Sequence, residues 1–246
     1  IVIFHGIFSQ HILNLVHQLV LSPVKVVWSI WGGDVTLLSD QANLEMLNKL
    51  DYIICTPGQT LPHINLTVPE INACLYLPYH HNQKKILKEN IVVLGNSGDP
   101  SNKHEYLLGL VSKFQNAKIH IPFGYNDSEN YLNSLVKLSK KLKISERVYF
   151  HKEVMSLEEY YNLFNRAKVY LSAHNRQQSL GTMQIAYTLN CEVYLKKIIE
   201  MSDGKKMLNP SYLTMQMLGY PNIKNITDLE KKGFMFNFSE EYYNPI

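Results

Sequence analysis

The sequence predicts an α/β fold of two doubly wound, Rossmann-like domains, and three features carry that expectation. Short apolar runs of strand length alternate with amphipathic stretches of helix length, the pattern of a mainly parallel sheet. A polar, charged segment, "YHHNQKKILKEN" at 79–90, interrupts the alternation and reads as a linker. Several runs also end in glycine and small polar residues, as strands do where they open onto a ligand crevice.

In order along the chain, "IVIF" (1–4), "VKVVW" (24–28) and "YIICT" (52–56) read as strands, with a helix near 9–21. A further apolar piece, "CLYLP" (74–78), stops at Pro78. After the linker come "IVVLG" (91–95), "KIHIPF" (118–123), "RVYFH" (147–151), "KVYLSA" (168–173) and "CEVYLK" (191–196). Helices are expected between them at about 103–115, 128–142, 156–166 and 180–189. In "SLEEYYNLF", Ser156 is a cap, and Glu158 and Glu159 complement the positive end of the helix dipole. The expected domains are 1–85, an incomplete first unit, and 86–246, with a cleft between facing strand ends.

The 246 residues suffice for one large or two modest domains. Hydrophobic residues at 46% and charged residues at 18% describe an ordinary globular protein. A net charge of +3 is too small to argue for nucleic acid, so no such partner is expected. Lysines cluster at 84–88, 137–143 and 196–206, as solvated helix faces do and as faces against acidic lipid also do. Cys55, Cys74 and Cys191 lack the spacing of a zinc site or a disulfide framework, which favours a reducing compartment. No apolar run approaches the ~20 residues of a membrane-spanning helix. The opening "IVIFHG" reads as a strand already under way, and an earlier N-terminal portion is expected.

The loops decide the chemistry. In "VVLGNSGDPSNKH" (92–104), Gly95 and Gly98 permit close backbone approach, and Asn96, Ser97 and Ser101 offer donors. A helix starting near Asn102 turns its unpaired N–H groups toward the loop, which suits an anion. The spacing is neither GxGxxG nor a P-loop, so no nicotinamide or ATP fingerprint is present. Asp99 would repel a phosphate and is read as a cap or a partner for a sugar hydroxyl. An ordinary turn with a helix cap is the competing reading of this stretch.

In "HNRQQSLGT" (174–182), Arg176 can pair bidentately with a phosphate, Gln177 and Gln178 can read sugar hydroxyls, and Gly181 and Thr182 open a helix. A third strand ends in Gly124 and Tyr125. In a parallel sheet the three loops share one edge, and their convergence favours a phosphate-bearing ligand.

Two strand ends of the first half carry His5 and Gly6, then Trp31, Gly32, Gly33 and Asp34. A histidine and an aspartate at such ends suit general-base work, and Trp31 either stacks on a sugar or packs in the core. No DxD sequence and no ligand cluster at metal spacing occurs, so no catalytic metal and no cofactor is expected.

Taken in order, "FHGIFS", "VVWSIWGGDV", "VVLGNSGDPSNKH", "IPFGY" and "RQQSLGTMQIAYTLNCEVYL" resemble glycosyltransferase family 56, the bacterial 4-alpha-L-fucosyltransferases. The resemblance covers most of 1–230. It implies a GT-B fold, a nucleotide-sugar donor held mainly by the second domain, and an undecaprenyl-diphosphate-linked glycan acceptor. It also implies peripheral attachment at the cytoplasmic face of the bacterial inner membrane, in surface polysaccharide synthesis such as that of enterobacterial common antigen. Gly95, Asn96, Ser97, Gly98, Asp99, Ser101 and Asn102 match one block, and Arg176, Gln177, Gln178, Gly181 and Thr182 a second. His5, Gly6, Trp28, Trp31, Gly32 and Asp34 match the first-domain blocks. Against the family pattern, opening βα units are expected ahead of "IVIFHG", the region between Asp34 and Asp51 is short, and 196–207 looks inserted.

The expected reaction is metal-independent transfer of a deoxyamino or related sugar from a dTDP- or UDP-sugar to a lipid-linked glycan, with Asp34 or His5 as base. The alternatives are a sugar-nucleotide epimerase of the same fold and a non-catalytic nucleotide-sugar-binding partner in an assembly complex.

Overall fold

The computed structural model of the chain describes residues 1–31, 34, 40–56, 66–73, 86–114, 116–125, 128–200 and 204–231. By internal contacts the chain divides into two units, Ile1–Leu77 and Pro78–Ile246. Most of the linker expected at 79–90 and the apolar piece at 74–78 lie outside the described residues.

The first unit runs β1 (Val2–His5), α1 (Gln10–Leu19), β2 (Val26–Ser29), α2 (Gln41–Leu47), β3 (Tyr52–Cys55) and β4 (Glu70–Asn72). All four strands are parallel, in the order β1-β2-β3-β4. Ser9 starts α1 by accepting from the Ile12 N–H, and Asp40 starts α2 by accepting from the Ala42 N–H at 2.8 Å. Leu13 and Val16 of α1 and Leu47 of α2 pack on Trp28 and Ile53 of the sheet.

The second unit begins β5 (Glu89–Leu94), α3 (His104–Val111), β6 (Lys118–Pro122), α4 (Glu129–Lys141), β7 (Val148–His151) and α5 (Leu157–Arg166). It continues β8 (Ala167–Ser172), α6 (Leu180–Thr188) and β9 (Glu192–Leu195). An antiparallel pair follows, β10 (Ile198–Glu200) and β11 (Lys206–Leu208), then α7 (Pro210–Met217), β12 (Lys224–Asn225) and α8 (Ile226–Lys231). The main sheet is parallel throughout, in the order β7-β6-β5-β8-β9-β12.

Numbered within the unit this is 3-2-1-4-5-6, the Rossmann order. β5 and β8 are therefore the neighbours from which the chain winds outward in opposite directions. Ile91 to Leu94 of β5 are all fully buried, which is why that run shows no alternation of apolar and polar residues. Each such side chain withdrawn from water contributes about 1.5–3 kcal/mol.

Helix starts follow local chemistry. In α5 the Ser156 Oγ accepts from the Glu159 N–H at 3.2 Å while Glu159 Oε2 accepts from the Ser156 N–H at 2.8 Å, a capping box. Ser128 begins α4, and Asn209 followed by Pro210 begins α7.

Candidate functional site

The crevice rule for doubly wound sheets points to the strand ends where the order reverses, here the C-terminal ends of β5 and β8. The β5–α3 loop leaves β5 through Gly95, whose φ of +62° lies in the left-handed region. A Cβ there would stand 2.5 Å from Asn102 Oδ1 and 2.9 Å from His104 Nε2, so only glycine fits. Asn102, fully buried, organises the rest of the loop. Its Oδ1 accepts from the Asn96 N–H at 3.1 Å, and its Nδ2 donates to the Ser97 carbonyl at 3.2 Å, the Ser97 hydroxyl at 3.0 Å and the Asp99 carbonyl at 3.0 Å. Asp99 Oδ1 accepts from the Ser101 N–H at 2.8 Å and caps the single turn Pro100–Asn102. The aspartate thus serves the turn that leads into α3.

Burial works to raise the Asp99 carboxyl, but hydrogen bonds from Ser101 and the charge of Arg176 outweigh it and hold it below the ordinary range. Lys103 has a φ of +54° and begins α3. Its ammonium is pushed down by burial and then by the charge of Lys196, at the end of β9. Arg176 acts on Asp99, and Lys196 acts on Lys103, so three cationic side chains adjoin this loop. The N-termini of α3 and α6 follow the same two strands and add their partial positive charge.

The three loops predicted to converge do so. The Gly98 N–H donates to the Tyr125 carbonyl at 2.7 Å, and Ser101 Oγ donates to Gln178 Oε1 at 2.9 Å. Gly124 has a packing reason: a Cβ would lie 2.5 Å from the Glu153 and Val154 backbone. Tyr125 is exposed, as is Arg176. Gln177 Nε2 donates to Thr214 Oγ1 at 2.8 Å, and Thr182 Oγ1 pairs with the Tyr160 hydroxyl at 2.8 Å. Gly181 lies in the first turn of α6.

Sequence reasoning missed what lies under the β8–α6 loop. Ser211 Oγ accepts from the Gln178 N–H at 3.1 Å and faces the carbonyls of Arg176 at 3.2 Å and Gln178 at 3.3 Å. Asn209 Nδ2 donates to the His174 carbonyl at 2.9 Å. Asn209, Ser211 and Thr214 are buried polar residues of α7 and its cap; the first two hold the backbone that presents Arg176, and Thr214 holds the Gln177 side chain. The Asn-Pro-Ser run at 209–211 is the signal that marks this helix.

In the first unit, Asp34 is 1% exposed and accepts three N–H groups. These come from the Ile7 amide at 3.1 Å, the Trp28 indole at 2.9 Å and the Trp31 amide at 3.0 Å, so the loops after β1 and β2 are tied through one carboxylate. His5 stands exposed at the end of β1, Gly6 turns there with a φ of +78°, and Trp31 is 41% exposed. Gly32 lies outside the described residues.

The family described as 4-alpha-L-fucosyltransferase glycosyl transferase group 56 matches residues 1–201. Among solved structures, trehalose-6-phosphate synthase OtsA is similar with a TM-score of 0.61 at 12% identity, over 98% of this chain and 65% of that one. Sucrose-phosphate synthase from Thermosynechococcus elongatus gives 0.56 at 14% identity, over 74% of this chain and 52% of that one. TarM gives 0.52 at 14% identity, over 79% and 43%. The likeness is one of fold, the GT-B type. This chain spans less than two thirds of the length of each.

Proposed function

We propose that this chain, which belongs to the 4-alpha-L-fucosyltransferase glycosyl transferase group 56, moves a sugar from a dTDP- or UDP-linked donor to a hydroxyl of a lipid-linked glycan. The observation that carries the reading is the meeting of three loops and two helix N-termini at the β5/β8 reversal, beside Arg176 and Lys103. Such a place binds a diphosphate, and it stabilises the same group more strongly as it leaves with developing charge. Arg176 and Lys103 supply the countercharge that a metal supplies elsewhere, and Gln177 and Gln178 face the sugar.

For the base, the geometry favours His5 over Asp34. The three hydrogen bonds to the Asp34 carboxylate hold backbone and indole in place, whereas His5 is exposed at a strand end. A base must reach the proton it takes. Asp34 then orients Trp31, whose exposed ring offers a face for the acceptor sugar.

Attachment to the cytoplasmic membrane face belongs to the same proposal. Among the described residues no helix is long and apolar enough to cross a bilayer, and lysines at 137–143 and 196–206 offer a basic surface. Sedimentation with anionic vesicles at low and high salt tests it, and no binding at low salt ends it.

The donor reading is tested by a thermal-shift screen of dTDP, UDP, ADP and GDP. A selective rise with dTDP or UDP, lost in Arg176→Ala without a lower starting melting temperature, is the expected result. No rise with any nucleoside diphosphate, or full binding by that variant, overturns it.

A further inference from the structure

His174 is 1% exposed at the end of β8, and both its ring nitrogens are engaged. The carbonyls of Ser97 and Asp99 can only accept, so the Asn102 atom facing them is the nitrogen and the other is the oxygen. That oxygen already takes the Asn96 N–H, and it lies 2.8 Å from His174 Nε2. Two acceptors cannot share such a contact, so Nε2 carries the proton and donates. Nδ1 keeps its lone pair and accepts the Ser172 hydroxyl at 2.6 Å. The tautomer is set by the loop on one side and by the strand on the other. The His174 backbone is fixed as well, through Asn209.

We propose that His174 is a positioning residue of the nucleotide site, holding the β5–α3 loop in register with the β8–α6 loop through its Nε2–H bond to Asn102. This rests on the donor reading of the reversal point and adds how its two walls are kept together. The Asn102 carboxamide binds Asn96, Ser97 and Asp99 at once, and the His174 proton orients it from the neighbouring strand. Without that donor the carboxamide loses its link to β8. The amides of one wall then move independently of Arg176 on the other, and precise anion geometry is lost. Burial keeps the ring neutral, with its pKa pushed down to about 3, so the link holds across the working pH range.

His174→Leu removes the donor, and His174→Gln restores one in nearly the same place. The leucine variant should bind the preferred nucleoside diphosphate, dTDP or UDP, about tenfold or more weakly, and the glutamine variant within about threefold of the original protein. The two variants should melt within a few degrees of each other, a split that mere destabilisation does not produce. Equal binding by the two, or original-strength binding by the leucine variant, overturns the proposal.

Amide exchange at Asn96, read by NMR or mass spectrometry, needs no nucleotide. It should accelerate in the leucine variant and stay slow in the glutamine variant, and unchanged exchange also overturns the proposal. Should the leucine variant not fold, Ser172→Ala takes its place: it frees the ring, and Asn96 exchange must rise. If the original protein binds no nucleoside diphosphate, the donor reading fails, while the exchange result still decides the role of His174.

Discussion

Ser101 Oγ lies 2.9 Å from Gln178 Oε1, joining by one side-chain hydrogen bond two loops that are 77 residues apart in sequence. Gln178→Glu keeps an acceptor for the serine hydroxyl but places a second carboxylate beside Asp99. If an anion binds here, that charge opposes it at short range in partly desolvated surroundings, and nucleoside diphosphate affinity should fall by about tenfold or more. Ser101→Ala, which breaks the bridge without adding charge, should cost less. Calorimetric titration with dTDP and UDP separates the two, and equal losses would show that the site does not sense charge at Gln178.

How much of this was readable beforehand depended on where the information sits. β5 and β8 were visible as apolar runs because both faces of each are covered, and α5 because its cap residues are local to it. β4 was not visible: Glu70, Ile71 and Asn72 form an exposed edge with no apolar pattern to read. β12 is two residues long, and α2 and α7 announce themselves through caps more than through periodicity. Within the site, residue types at 95–102 and 174–182 indicated polar loops after strands. Their division of labour was not legible, because it depends on contacts between distant segments. Asn102 and Asp99 turn inward to shape the loop, His174 is buried, and Asn209 and Ser211 arrive from a helix that no motif included.

Glycine positions give a paired test. Gly95→Ala adds a methyl group where a left-handed φ and the Asn102 carboxamide both resist it, and should destabilise the protein by roughly 2–4 kcal/mol. Nucleotide binding should weaken in the same variant as Asn102 is displaced. Gly109→Ala lies inside α3 with nothing within 4 Å of the added Cβ, and should raise stability by about 0.5–1 kcal/mol. Urea unfolding of both variants checks the contrast, and a neutral Gly95→Ala would contradict the tight turn.

The Lys88 ammonium donates to the Phe164 carbonyl at 3.0 Å and the Leu189 carbonyl at 2.5 Å, near the C-terminal ends of α5 and α6. Helix ends leave such carbonyls without intrahelical partners, and a cation there also complements the dipole. Burial pushes the Lys88 pKa down, opposed by the neighbouring Cys191, so the charge is held at some cost. Lys88→Met keeps the length of the side chain and removes the donors, and should lower stability by roughly 2–4 kcal/mol. Nucleotide affinity at saturating folding conditions should stay the same, since the residue is placed at the opposite ends of these helices from the site. Unfolding curves and a binding titration on the same variant test both halves.

Stability should depend on pH through two buried histidines. Burial pushes His104 down to about 4, while Asp99 pulls weakly the other way. Burial likewise pushes His174 down to about 3, helped by the charge of Arg176. The unfolded chain takes up these protons near 6.5 and the folded chain does not, so folding is disfavoured as pH falls. Their contribution is full above pH 6.5 and is lost progressively as pH drops toward the folded values, His104 alone accounting for on the order of 3 kcal/mol. Asp99, held below its ordinary range, acts in the same direction at lower pH. Urea denaturation at pH 8, 7, 5.5 and 4.5 should therefore show a plateau and then a steep fall, with proton uptake on unfolding at pH 5.5. His120, pushed down to about 4 by burial and then by the charge of His151, adds to the same fall. His174→Gln removes one of these rings and should flatten the fall in part, and equal stability at pH 7 and 4.5 would show that the rings are not held neutral by the fold.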